Sequence, residues 1–224
     1  MGCRVIDEII CGDCLEVMRG IPDNSIDLVL TDPPYGINKG KIANDESLDA
    51  FQGAVETIFP KMADNSFFVS FTSIANIPQM TEIMSRRFTY RWQIIVYINN
   101  GMVRGSMGFS VYYPCLIYTK GQAKIKKQIK DVFETSASSK QMANRQHPYQ
   151  KDVRFHEYLL NCMSKEGDLI LDPFLGSGTT AVACVNLDRD YIGIDISEEY
   201  CNIARQRVAD AKMVRDSQPE LFGR

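Results

Sequence analysis

Asp32-Pro33-Pro34-Tyr35 joins a carboxylate, two residues without a backbone N–H and an aromatic ring, directly after the apolar run Ile26 to Thr31. The exocyclic amine of adenine or cytosine is a poor nucleophile, because its lone pair is delocalised into the ring. A site that uses such an amine must accept its N–H bonds as the nitrogen pyramidalises. Asp32 offers one acceptor, and Pro33 and Pro34, with φ held near about −65°, keep main-chain carbonyls in fixed directions as others. Tyr35 offers a ring face against which an extruded base can stack, worth roughly 1–3 kcal/mol. One proline suffices for a rigid strand exit. A specified tetrapeptide arises by chance in roughly one chain in a thousand of this length, so the combination points to chemistry.

A second segment, Leu169 to Ala181, runs through Asp172-Pro173-Phe174-Leu175-Gly176-Ser177-Gly178-Thr179-Thr180. A buried strand passing through glycines into a helix lets backbone approach a nucleotide-like ligand closely. The next apolar run ends Gly193-Ile194-Asp195, an acid about 20 residues past the glycines, where it can accept from ribose hydroxyls. Both a dinucleotide and S-adenosylmethionine carry such a ribose, so the glycines alone also permit an NAD-dependent oxidoreductase. A dinucleotide fingerprint, however, opens a βαβαβ half, and here only one further strand and helix follow.

These residues need a scaffold, and the apolar periodicity supplies one. Buried-strand runs recur at 8–11, 26–31, 67–71, 92–98, 111–118, 169–171 and 191–194, and amphipathic helices at 47–61, 77–85, 153–163, 179–186 and 197–212. The alternation predicts an α/β domain of Rossmann-like type: a mainly parallel seven-stranded sheet with helices on both faces. The two runs flanking Asn99 to Ser110 lack a helix between them and predict an antiparallel hairpin at one side of the sheet. The expectation is one domain over 1–212, with a short basic insertion at about 119–150 and a flexible tail over 213–224.

Composition narrows the chemistry. The seven cysteines are scattered through apolar segments, and Cys11-Gly12-Asp13-Cys14 is the one C-x-x-C pair. With only His147 and His156 to complete a ligand set, no metal is expected. No apolar run approaches the roughly 20 residues that cross a bilayer, and the acidic start lacks the pattern of a signal peptide. A cytoplasmic, reduced protein without a membrane partner is expected. The net charge of −3 is unevenly spread. Residues 1–79 carry 5 basic and 12 acidic side chains, 80–154 carry 13 and 4, and 155–224 carry 7 and 12. The basic middle suits phosphate contacts.

Asp32-Pro33-Pro34-Tyr35 and the segment from Asp172 to Thr180, in that order, resemble the amino-group DNA methyltransferases of the permuted type called β. Gly12-Asp13-Cys14-Leu15 matches that family's acidic position near the cofactor adenine, and Asp195 its ribose-binding acid. His147-Pro148-Tyr149-Gln150-Lys151 resembles the family's His-Pro-x-Gln-Lys segment beside the methionine end of the cofactor, with Asp152 where proline is usual.

The resemblance implies S-adenosylmethionine as methyl donor, S-adenosylhomocysteine as product and double-stranded DNA as substrate. Its catalytic residues would be Asp32, Pro33, Pro34 and Tyr35. Its cofactor residues would be Asp13, Cys14, Asp32, His147, Gln150, Lys151, Asp172, Pro173, Phe174, Gly176, Ser177, Gly178, Thr179 and Asp195. Transfer would be direct, without a covalent enzyme intermediate and without a metal. Aspartate first in the tetrapeptide is commoner among adenine-N6 enzymes, serine among cytosine-N4 enzymes; both bases stay open, as does a non-catalytic DNA-binding subunit. DNA reading is expected from loops around 36–47 and 99–110 and from the basic insertion. So short a reader implies a homodimer or a brief recognition site.

Overall fold

A computed structural model describes residues 6–35, 47–99, 103–104, 108–136 and 151–217. The apolar runs become β1 (Glu8–Cys11), β2 (Ile26–Thr31), β3 (Met62–Phe71), β4 (Thr89–Asn99), β7 (Tyr112–Lys120), β9 (Leu169–Asp172) and β10 (Asp190–Asp195). Between β4 and β7 lie the two short strands β5 (Val103–Arg104) and β6 (Phe109–Ser110), which pair with each other as a separate two-stranded sheet among the described residues. An eighth strand of the main sheet, β8 (Val132–Ser136), falls inside the stretch read as an insertion.

The main sheet runs β1-β10-β9-β2-β3-β7-β4-β8. Pairing is parallel from β1 to β3 and between β4 and β8, and antiparallel on both sides of β7. The expected hairpin is therefore present as β4 and β7, with Tyr97 opposite Tyr112 near its tip.

The helices are α1 (Cys14–Arg19), α2 (Asp49–Lys61), α3 (Ile77–Ser85), α4 (Val153–Met163), α5 (Thr179–Asn186) and α6 (Glu198–Ser217). Successive side chains of β3 point to opposite faces. Phe67, Val69 and Phe71 join one core with Phe155 and Leu159 of α4, Ala181 and Val185 of α5 and Ala204 and Val208 of α6. Phe68 joins the other core with Met18 of α1, Phe51, Val55 and Ile58 of α2, and Met80 and Met84 of α3. Both faces are covered, which is why these strands read as continuous apolar runs.

β9 and β2 are parallel neighbours, and the direction in which successive strands are added to the sheet reverses between them. From β2 the chain crosses to β3 on one side, and from β9 to β10 on the other, so α2 and α5 start on opposite faces of one gap. Open α/β sheets bind ligands at such a switch point, beyond the carboxyl ends of the strands. Here the two strand ends are bolted together. Asp172 Oδ1 accepts from Thr31 Oγ1 at 2.7 Å and from the Phe174 amide at 3.1 Å, and its Oδ2 accepts from Thr180 Oγ1 at 2.6 Å.

Two placements differ from the sequence reading. The lysines after Thr119 were expected beside the substrate, but β7 is antiparallel to β3, so it exits at the far end of the sheet, where Ser66 faces Lys120. Lys120 is held there by the Met62 carbonyl at 2.6 Å and by Asp64 at 3.6 Å, and the Lys126 amide bonds the Cys162 carbonyl at the last turn of α4. Residues 137–150 of that insertion lie outside the described residues. The tail was expected from residue 213, yet α6 continues through Ser217, because Arg215 pairs with Asp188 at 2.9 Å and bonds the Val185 carbonyl at 3.1 Å.

Two buried titratable groups give the fold opposing pH responses. Burial pushes Asp172 up to about 7, against its three hydrogen bonds, while an unfolded aspartate titrates near about 3.9. The folded state therefore holds the proton more tightly, and this group's contribution falls as pH rises from 4 to 7. Burial lowers His156 to about 4, so its contribution is complete above about 6.5 and is lost as pH falls towards 4. Urea unfolding across this range should show wild type gaining on Asp172→Asn as pH falls and on His156→Phe as pH rises, each by about 1.4 kcal/mol per unit. Parallel curves for wild type and either variant would contradict the assignment.

Candidate active site

The tetrapeptide, the glycine turn and the Asp195 turn converge on one cavity of about 480 Å3 at the strand carboxyl ends. Drug-sized ligands take roughly 300–1,000 Å3, so a nucleoside derivative fits. Asp13, Cys14, Asp32, Pro34, Lys151, Asp172, Pro173, Phe174, Gly176, Ser177, Thr179 and Asp195 all line it. Three expected residues do not. Pro33 is buried, and Tyr35 is half-buried with its hydroxyl bonded to Asp32 Oδ1. Gly178 faces away: its φ of 85° suits glycine, and a Cβ there would come within 2.7 Å of Ala204 Cβ on α6. His147 and Gln150 lie outside the described residues, as does 36–46 of the first expected reading loop.

Each acid is placed by its own turn. Asp13 caps α1, accepting from the Leu15 amide at 2.8 Å. Asp195 ends β10 and accepts from the Gly176 amide and the Ser197 amide, both at 2.8 Å, so it clamps the glycine turn to the next strand. Gly176 has φ 54°, and a Cβ on it would meet no atom within 4 Å, which leaves bare backbone on the cavity side. Arg207 of α6 braces the same turn through Ser177 Oγ at 3.1 Å and Thr179 Oγ1 at 3.4 Å.

Asp32 faces the turn from β2. Its Oδ2 pairs with Lys151 Nζ at 2.7 Å, and that ammonium lies 5.9, 5.3 and 4.8 Å from the ring centroids of Tyr35, Phe71 and Tyr113. Asn76 Nδ2 bonds the Tyr35 carbonyl, tying the tetrapeptide to the end of β3. Burial, with the Asp32 charge beside it, raises the Tyr35 phenol well above its ordinary value, so the hydroxyl is a donor. Asp152 stands at the N-cap of α4, where it accepts from the Arg154 amide at 3.0 Å and from Thr135 Oγ1 at 2.7 Å. Aspartate thus opens the helix with a side-chain cap that a proline at this position could not supply.

The sequence reading missed His156, Ile196, Glu199 and Tyr200, which also line the cavity. Glu199 and Tyr200 lie in the first turn of α6, whose start just past Asp195 was the available signal. His156 is buried, with its Nδ1 3.1 Å from the Asp152 carbonyl and its ring 5.2 Å from that of Phe71. Burial raises the Cys14 thiol to about 11, which keeps it protonated at neutral pH and unsuited to nucleophilic attack. Among the described residues no cluster of three histidine, cysteine or acidic side chains is placed to hold a metal ion, and no helix is long and apolar enough to cross a membrane.

The sequence profile of the DNA methylase family, for N6 and N4 methyl transfer, matches residues 26–206. The putative methylase YubD of Escherichia coli K12 is 30% identical over 223 residues, covering 91% of each chain. The crystal structure of an M1.HpyAVI–SAM complex superposes with TM-score 0.74 at 25% identity, over 90% of this chain and 98% of that one. The PvuII DNA methyltransferase, described as cytosine-N4-specific, shares the fold with TM-score 0.75 at 19% identity, over 97% and 91%. A glycine turn and an Asp-Pro-Pro-Tyr strand exit facing one cavity at the switch point agree with that match: the chain belongs to the N6/N4 family of DNA methylases.

Proposed function

We infer that this DNA methyltransferase acts on the exocyclic N6 of adenine and uses S-adenosylmethionine as donor. The observation that carries the reading is the shared cavity, in which Asp32 faces the Gly176 turn. Aspartate, not serine, leads the tetrapeptide, which favours adenine over cytosine within this family.

The residues present fit the donor. Asp195 and Asp13 offer acceptors for ribose hydroxyls and an adenine amine, and the bare backbone of Gly176 allows close approach. Bound there, S-adenosylmethionine supplies an electrophilic methyl group on a sulfonium. Asp32 accepts N–H bonds from the target amine together with the Pro33 carbonyl, and the Tyr35 ring supports the extruded base. Orientation of the amine is the main contribution these residues make to the rate. The loop carrying β5 and β6 stands at the same end of the sheet, with Phe109 66% exposed, and suits contact with duplex DNA.

Incubation with unmethylated DNA and isotope-labelled donor, followed by digestion to nucleosides and mass spectrometry, tests the target base. The expected product is labelled N6-methyldeoxyadenosine. Labelled N4-methyldeoxycytidine would move the assignment to cytosine, and absence of label would remove the activity. Asp32→Ala should lower turnover by at least about a hundredfold while donor binding, read by calorimetry, stays within about twofold. Asp195→Ala should weaken donor binding by roughly tenfold or more. Equal loss of donor affinity in both variants would contradict these roles.

A further inference from the structure

Lys151 lines the cavity, and its ammonium sits on Asp32. The contact is a 2.7 Å ion pair, with side chains only 17% and 27% exposed. The same nitrogen lies over Tyr35, Phe71 and Tyr113, three rings that surround it at 4.8 to 5.9 Å. An N–H donated to Asp32 and a flat group lying against Tyr35 are the two features that the methyl-accepting amine must bring. An ammonium in this place satisfies the carboxylate and covers the ring, so a base and Lys151 Nζ cannot occupy it together. Its backbone is fixed, because the next residue, Asp152, caps α4. Its four-carbon stem remains free to swing.

We propose that Lys151 is a placeholder for the target base: its ammonium fills the amine position on Asp32 and within the three rings, and an extruded base must displace it. The inference rests on the methyltransferase reading above. Before DNA arrives the Asp32 carboxylate would otherwise have only the Tyr35 hydroxyl as its partner, and the ammonium on its other oxygen balances the charge beside the rings. Apparent affinity for the extruded base is then the intrinsic affinity multiplied by the fraction of molecules already vacated. Bases without an amine to offer Asp32 gain too little to evict it, so the lysine also discriminates.

Initial rates of methyl incorporation into unmethylated bacterial DNA, at saturating donor and constant ionic strength, test the proposal. Lys151→Ala should lower KM for DNA by roughly three- to tenfold, the plug having been removed. Added n-butylammonium chloride should raise it again, competitively with DNA and beyond the effect of equal sodium chloride, while wild type stays insensitive. Lys151→Met, which keeps the stem against the rings, repeats the comparison if alanine impairs folding. Lys151→Arg, which keeps the charge, should stay near the wild-type KM. Unchanged or raised KM, lost turnover with donor binding intact, or no specific effect of butylammonium each overturns the placeholder. Wild type that methylates DNA while the variant KM is unchanged sinks the placeholder alone; wild type that transfers no methyl group to DNA sinks the reading beneath it.

Discussion

The carboxylate of Asp172 holds the two strand ends of the switch point together, and the site exists because of it. It is buried, and it accepts from Thr31 at the end of β2, from Thr180 at the start of α5 and from the Phe174 amide within the glycine turn. An unpaired buried carboxylate costs several kcal/mol, roughly, whereas each hydrogen bond to a charged group returns about 1.5–3 kcal/mol. Three such bonds offset only part of the burial, which still holds the carboxyl up at about 7. What the arrangement secures is register. Thr31 is followed at once by Asp32, and Asp172 by the turn to Gly176, so one carboxylate sets the spacing of both motifs.

Around that bolt the cavity wall is acidic: Asp13, Asp32, Asp172, Asp195 and Glu199 all contribute, with Lys151 as the cation among them. Such a wall draws in a cationic ligand and repels a polyanion. In the proposed reaction the donor carries a sulfonium and the product does not, so the wall favours donor over product and aids exchange between turnovers. DNA phosphates need cations elsewhere. The lysines from Lys120 to Lys127 leave β7 at the remote end of the sheet, and Lys120 is engaged by Met62 and Asp64.

Much of this was legible because local pattern and burial agree. Helices α3, α4 and α5 have the bounds their apolar periodicity gives, and all seven expected strands of the main sheet are present. What escaped depends on distant partners. Val132–Ser136 is a short, polar-flanked segment that becomes β8 only by pairing with Ile95 to Asn99. α1 is six residues long, too short for a periodic signal, and is started by the Asp13 cap. The extra turns of α6 depend on Arg215 meeting Asp188. Charge counts located a basic third but could not say which way β7 points, and no spacing in the chain announces that Lys151 meets Asp32.

The central claim is that Asp32 and the glycine turn serve the two reactants within one continuous space. A bisubstrate compound, adenosine tethered from its 5′ carbon to N6 of a second adenine, measures this directly by calorimetry. The account predicts affinity at least about a hundredfold above S-adenosylhomocysteine, with that gain, and only that gain, lost in Asp32→Ala. Binding no tighter than S-adenosylhomocysteine, or a gain that survives Asp32→Ala, would contradict it.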